Sequence, residues 1–335
     1  MRIRPRLLTP LALTALLATA ACGESGSSGT SDASGSGSGG AASGDACAPV
    51  AGDQLVVLED DQQLQNADNV IPAVNAAAAG ASPALLETLN GISAVLTTED
   101  LIDMNAAVDV ERQSATDVAA AYVSEKALGG SGGSGPVVVG AADFTESQVL
   151  GTLYADVLTA AGFDATVQTV GNRELYLPAL QRGEIQVFPE YLATVADILA
   201  KQVNGDTAEG IATPDAGATL AALEPVAQQA GLVFGEPAEA ADQNAFAVTT
   251  EFADALDVTT LSELADACGD GSLVLGGPGE CPERPQCQPG LEQTYGLQFA
   301  SFSELDAGGP LTKAAIQQGE VSIGLVFSSD GALAQ

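Results

Sequence analysis

From Pro136 onward, short apolar runs alternate with stretches whose apolar residues recur at helical spacing, and this alternation leaves few folds open. Val137-Val-Val-Gly140 reads as a short buried strand, and 145–161 as a helix with Val149, Leu150, Leu153, Val157 and Leu158 on one face. Strands are expected over 165–170, 185–188, 232–234, 245–249, 273–275 and 321–327. Helices are expected over 174–181, 191–203, 216–230, 261–267, 291–295 and 311–318. Such alternation builds parallel sheets with helices on their faces. The strands at 232–234 and 245–249 are read as straddling a boundary between two lobes. Ahead of this body, 55–58 reads as a strand, and 83–96, 99–107 and 115–128 as helices. The whole is expected to form two α/β lobes with crossing connections, and sites in such folds sit in the crevice at the carboxyl ends of the strands.

Gly129-Gly-Ser-Gly-Gly-Ser-Gly135 separates the front helices from the alternating body. It lacks the Lys-Ser/Thr ending of a phosphate loop and reads as a linker, spanning at most about 25 Å when extended. Residues 23–45 are almost entirely Gly, Ser, Ala and Thr, too poor in apolar side chains to offset the entropy of ordering, and read as a tether. Arg2, Arg4 and Arg6, an apolar run from Leu7 to Leu17 and the small-residue stretch Thr19-Ala-Ala-Cys22 resemble a bacterial lipoprotein signal, with Cys22 the lipidated residue. The apolar run is shorter than the roughly 20 residues of a membrane span.

Without the signal, seven basic residues face 44 acidic ones, a net charge of −37, which repels nucleic acid. There is no His anywhere, which excludes His-based triads, His metal sites and His proton shuttles. No nucleophile has a recognisable base partner, so an enzyme is not expected. Neither a metal nor a cofactor is expected. Cys47, Cys268, Cys281 and Cys287 remain beside Cys22, and an even count in an exported chain reads as two disulfides with three possible connectivities. A local bridge between Cys281 and Cys287, flanking a Pro-rich loop, is the first choice, which leaves Cys47 to Cys268.

Val138-Val-Gly-Ala-Ala-Asp-Phe-Thr-Glu-Ser147 and Gly183-Glu-Ile-Gln-Val-Phe-Pro-Glu-Tyr-Leu-Ala-Thr194 resemble the substrate-binding proteins of ABC importers for glycine betaine, choline and related osmoprotectants. So do Pro278-Gly-Glu-Cys-Pro-Glu-Arg284, Tyr295-Gly-Leu297 and Gly319-Glu-Val321. The resemblance covers nearly all of 54–128 and 136–335. In that family a strand ending in a Thr/Ser-Thr/Ser-Asp-Gly turn leads into a Leu-Val-Val-Leu-Glu-Asp-Asp strand. Here Ser328-Ser-Asp-Gly331 stands near the end and Leu55-Val-Val-Leu-Glu-Asp-Asp61 near the front, which implies a circular permutation. The resemblance implies a two-lobed, type II periplasmic-binding-protein-like α/β fold. Its parts are a signal (1–21), a tether (22–47), a permuted segment completing lobe 1 (48–128), a linker (129–135), lobe 1 (136–242) and lobe 2 (243–335).

The family holds a quaternary ammonium head in a cage of aromatic rings, since a trimethylammonium has no N–H to donate and ring faces must supply the attraction. It binds a ligand carboxylate through polar groups that include an Arg. By this resemblance Tyr191 falls on a cage position, Thr194 on a carboxylate contact, Phe246 and Phe327 on positions where aromatics are common, and Arg284 on the carboxylate-binding Arg. Asn244 and Ser147 join the expected ligand-binding residues. Three departures stand out: Asp68 at the last cage Tyr, Ala142 at a Lys, and Ser147 at a contact often filled by Gln. Asp68 suits a cationic head by charge and also admits amines that carry N–H donors.

The implied function is a monomeric receptor anchored by lipid on the extracytoplasmic face of the cell membrane, passing a small solute to a permease and ATPase. A surface sensor or structural lipoprotein of the same fold, or a receptor for a non-betaine ligand, is the alternative.

Overall fold

The computed structural model describes Cys47–Ala334. The signal, Cys22 and the tether up to residue 46 lie outside the described residues, as does Gln335. In chain order the strands are β1 Leu55–Leu58, β2 Val70–Asn75, β3 Pro136–Ala141, β4 Asp164–Thr169, β5 Val187–Tyr191, β6 Leu232–Phe234, β7 Asn244–Thr249, β8 Leu273–Pro278, β9 Phe299–Leu305 and β10 Ile323–Phe327.

They form two five-stranded sheets, ordered β4-β3-β5-β2-β6 and β1-β7-β10-β8-β9. In the first, β3 runs parallel to β4 and β5, while β2 is antiparallel to β5 and β6. In the second, β8 is parallel to β9 and β10, and β7 is antiparallel to β1 and β10. Helices cover both faces of the first sheet. Val149, Leu150, Leu153, Val157 and Leu158 of the Thr145–Ala161 helix pack with Leu85, Leu89, Ile92 and Leu101 on one side. Leu192, Val195 and Leu199 of the Leu192–Asn204 helix pack with Leu177, Leu180 and Leu223 on the other. The second lobe has its own core around Phe246, Val248, Phe252, Leu264, Leu275 and Leu325. Each lobe buries many large apolar side chains, at roughly 1.5–3 kcal/mol apiece before the entropy of ordering is set against it.

The front segment does not complete lobe 1 alone, which corrects the expectation for 48–128. β1 pairs with β7 in the second sheet, Leu55 opposite Thr249 and Leu58 opposite Phe246, whereas β2 enters the first sheet. The reason lies in their side chains. Leu55 and Val57 alternate with Val56 and Leu58 and feed two apolar clusters of lobe 2, and Val70, Ile71, Ala73 and Val74 are buried on both faces of lobe 1. The chain therefore crosses between the lobes twice, over 59–69 and again over 235–243, with a bridge pairing Asn69 and Ala241 where the crossings meet. The Asp242 N–H donates to the Asp68 carbonyl at 3.2 Å in the same place.

β2 and β9 have no counterpart among the expected strands. Val70-Ile-Pro-Ala-Val-Asn75 carries a proline, normally a sign against a central strand. Here Pro72 lies opposite Pro189 of β5, so both missing donors fall at one position of the ladder. β9 is an edge strand with mostly half-exposed or exposed residues, so its sequence carries little apolar pattern. The expected helix at 291–295 is a single wide turn continuing the short Gln288–Gly290 helix.

Two disulfides are present, Cys47–Cys268 and Cys281–Cys287. The first ties the start of the described chain to lobe 2, and the second closes the Pro-rich loop that carries Arg284.

Candidate functional site

The two crossovers floor a crevice between the lobes. A cavity of about 280 Å³ is lined by Asp68, Thr194 and Asp197 from the lobe 1 side and by Asn244, Arg284 and Phe327 from lobe 2, with Asp242 between them. A second cavity of about 260 Å³ shares Asp242 and Phe327 and adds Asn105, Glu146, Lys313 and Asp330. A third, of about 550 Å³, lies within lobe 1 between Phe144, Arg173, Tyr176, Phe188 and Tyr191, and shares Phe144 with the second.

Asp68 acts as an external cap for the Leu192–Asn204 helix. Tyr191, the residue before that helix, offers no side-chain cap, and the orphan Thr194 N–H is taken by Asp68 Oδ1 at 2.9 Å. The Thr194 hydroxyl donates to Asp68 Oδ2 at 2.5 Å. Burial raises the Asp68 pKa, against the pull of its Thr194 hydrogen bonds and of Arg173. The protein's own carboxylate thus occupies the donors of Thr194, the residue expected to hold a ligand carboxylate.

Tyr191 ends β5 and is buried, its hydroxyl donating to Glu146 Oε1 at 2.6 Å. Asn105 Nδ2 donates to Glu146 Oε2 at 2.7 Å and to the Ser329 carbonyl at 2.8 Å, linking helix Thr98–Asp109, helix Thr145–Ala161 and the segment after β10. Burial, reinforced by the Glu146 charge, pushes the Asp242 carboxyl up to about 8. Its Oδ1 is buried without a hydrogen-bond partner, as is Asn105 Oδ1. Beside Tyr191, fully buried Glu190 receives Arg173 through Nη2 at 2.9 Å and Nε at 3.3 Å, and the Arg173 guanidinium lies 5.8 Å from the Tyr176 ring, itself stacked on Phe188.

The structure brings Asp68, Thr194, Asn244, Arg284 and Phe327 together on one cavity and sets the other expected residues apart. Phe246 is a correction: it is 1% exposed within the lobe 2 core, because in β7 the face that carries position 246 packs on Leu58 and Leu325. Ser147 is likewise withdrawn, 1% exposed, its hydroxyl oxygen accepting the Ala142 N–H at 2.8 Å to close the turn ahead of its helix. Tyr191 faces the lobe 1 cavity rather than Phe327. Arg284 stands at the rim, exposed and paired with Glu280 at 3.1 Å.

Glu146, Asp242, Asn105, Arg173 and Tyr176 were not among the expected site residues. Arg173 had a usable signal, being one of only seven basic residues after the signal segment. The acids had none, since two carboxylates among 44 stand out only once burial is known.

Two α/β lobes joined by paired crossovers, with a polar crevice above them, form the architecture of the two-lobed periplasmic binding proteins. Within that class, the chain belongs to the family described as the substrate-binding domain of ABC-type glycine betaine transport systems, whose model matches residues 48–125 and 135–335. A glycine-betaine-binding protein of Pseudomonas aeruginosa is 26% identical over 205 residues, 58% of this chain and 62% of its own length. The glycine betaine-binding protein YehZ of Escherichia coli is 26% identical over 208 residues, 59% of this chain and 66% of its own length. The chain thus spans a little under two thirds of these curated relatives. The crystal structure of a glycine betaine/carnitine/choline ABC transporter aligns with a TM-score of 0.44 and 19% identity, covering 59% of this chain and 70% of that one.

Proposed function

We propose that this chain is the receptor of an ABC importer, capturing a small cationic or zwitterionic solute of the glycine betaine, choline or proline betaine kind in the inter-lobe crevice. It delivers the solute to a permease and its ATPase, makes and breaks no bond, and works as a monomer held to the extracytoplasmic face of the cell membrane by lipid on Cys22. The observation that carries the reading is the pair of crossover carboxylates, Asp68 and Asp242, lining one cavity whose walls come from both lobes. A cation held there gains attraction from Asp68, and from Asp242 once it displaces that carboxyl's proton, and a solute touching both walls stabilises the closed arrangement by its differential affinity. Arg284 at the rim supplies a planar fork for a ligand carboxylate.

A non-betaine ligand has its own supporting observation: Phe327 is the one ring among the residues lining the cavity beside Asp68, and Phe144, Tyr176, Phe188 and Tyr191 line the lobe 1 cavity, where Arg173 already lies over Tyr176. Calorimetric titration against glycine betaine, proline betaine, carnitine, choline and ectoine separates these readings. Copurification with a permease and ATPase separates an importer receptor from a sensor or structural lipoprotein.

The order of segments is part of the proposal. The family match falls in two parts, 48–125 and 135–335, whose gap holds most of the Gly-rich linker, and the turn Gly331–Leu333 after β10 brings Leu333 onto the cluster that contains Leu55 of β1. Both support a circular permutation with a silent junction. A chain in which 48–128 is relocated after 335 should fold and melt like the original, and failure to fold would count against it.

A further inference from the structure

The 260 Å³ cavity between the lobes has an imbalance of hydrogen-bonding groups that the crevice as a whole does not explain. Its lining includes Asn105, Asp109, Glu146, Asp242, Lys313 and Asp330. Lys313 is not free to answer the acids around it, because its Nζ is held by both Asp330 oxygens at 2.8 and 2.6 Å. Glu146 receives one donor on each oxygen, from Tyr191 and Asn105. Asn105 spends its amide nitrogen on two acceptors, Glu146 and the Ser329 carbonyl, which fixes the orientation of the amide and leaves Oδ1 facing no donor. Asp242 Oδ1 also lacks a partner, although the Ser329 side chain hydrogen-bonds to the same carboxyl group. Two buried acceptors, on separate segments and both on residues that line this cavity, lack partners. Buried polar atoms are rarely left so, and a shortage of donors at a ligand cavity describes what the ligand must bring.

We propose that this cavity is a subsite for a protonated amine: an ammonium head retaining its N–H groups, which donates to Asn105 Oδ1 and Asp242 Oδ1 beside the Glu146 carboxylate. This inference rests on the reading of the crevice as a receptor for a small cationic solute and narrows its ligand class. A primary ammonium carries one charge and three donors. A trimethylammonium carries the same charge and none, so it satisfies the electrostatics and leaves both oxygens unpaired. Two rings, Phe144 and Phe327, line this cavity, too few to enclose a trimethylammonium head on all sides. The cavity far exceeds the volume of one water, so it has room for the head and the first atoms of its chain. The high Asp242 pKa fits the same picture, because a proton on that carboxyl stands in for the missing cation and leaves when one arrives.

The test holds charge constant and removes donors one at a time. The full chain is titrated calorimetrically with ethanolamine, N-methylethanolamine, N,N-dimethylethanolamine and choline. Affinity is expected to fall along the series, by about tenfold or more from ethanolamine to choline. Asp242→Asn, which keeps size and shape but adds its own donor, should flatten the series, with circular dichroism checking that the variant is folded. Should that variant not fold, the wild-type series decides alone. Affinity that rises with methylation, or a level series, overturns the amine subsite while leaving the receptor reading intact, the level series meaning that water satisfies both oxygens. No binding by any of the four, nor by glycine betaine, overturns both.

Discussion

Asp68 holds Thr194 twice, accepting its backbone N–H at 2.9 Å and its hydroxyl at 2.5 Å, and by this pair of bonds one lobe crossover is fastened to the first turn of the Leu192–Asn204 helix. The same carboxylate caps a helix and lines the crevice. Asp68→Ala should cost about 1–2 kcal/mol of stability in urea unfolding, the usual loss when a helix cap is removed. Combined with Thr194→Val, the double variant should be less destabilised than the sum of the singles, because each single already breaks the shared hydroxyl bond. Simple additivity in the cycle would show that the two residues are not coupled.

Asp242 gives a pH dependence of definite sign. Its carboxyl titrates near 3.8 in the unfolded chain and at about 8 in the folded one, so between those values the folded state holds the extra proton. The stability it lends is full below the lower value and is lost as pH rises through the upper one. Relative to wild type, Asp242→Asn should therefore gain stability steadily from about pH 5 to 8. Parallel curves for the two proteins would contradict the assignment.

The disulfides should differ in what their loss does. Cys47–Cys268 closes a loop of 221 residues and Cys281–Cys287 one of 6, and on chain entropy alone they are worth about 5 and about 2 kcal/mol. Replacing Cys47 and Cys268 by Ser should lower the melting temperature the more. Replacing Cys281 and Cys287 should do less to melting and more to binding, because that loop carries Arg284 and Gln286 to the crevice. Free thiols found by non-reducing peptide mapping at either pair would remove the basis of this contrast.

Much of the architecture is legible in the chain because periodicity reports one-sided burial. Helix 145–161 is recoverable to the residue, as its large apolar side chains recur at helical spacing where they pack against the sheet and the neighbouring helices. β2 is not, since burial on both faces erases alternation and Pro72 argues against a strand until its partner Pro189 is seen across the ladder. The site divides similarly. Asp68, Thr194, Asn244, Arg284 and Phe327 meet at one cavity, whereas Phe246 is turned inward by the two-residue period of β7, a matter of register that a single sequence does not carry. Asp242 and Asn105 were invisible for a different reason: what marks them is a missing hydrogen-bond partner, a property of the folded state.

Arg284 offers a specific reading of ligand chemistry. If its guanidinium pairs with a ligand carboxylate, Arg284→Ala should weaken glycine betaine about tenfold and change choline little, since only the first has a carboxylate to lose. Its present partner, Glu280, forms an exposed ion pair of little value, so stability should be almost unchanged. Equal losses for both ligands would show that the residue acts on the crevice field rather than on a carboxylate.

The most direct test of the account is calorimetric titration of wild type and Asp68→Asn with one panel of glycine betaine, proline betaine, choline and ethanolamine. The account predicts saturable one-to-one binding of at least one of these solutes to the wild type, weakened about tenfold in the variant as one crevice charge is lost. Absence of binding across the panel, or equal affinity in both proteins, would contradict the assignment of the crevice as a cation-binding site.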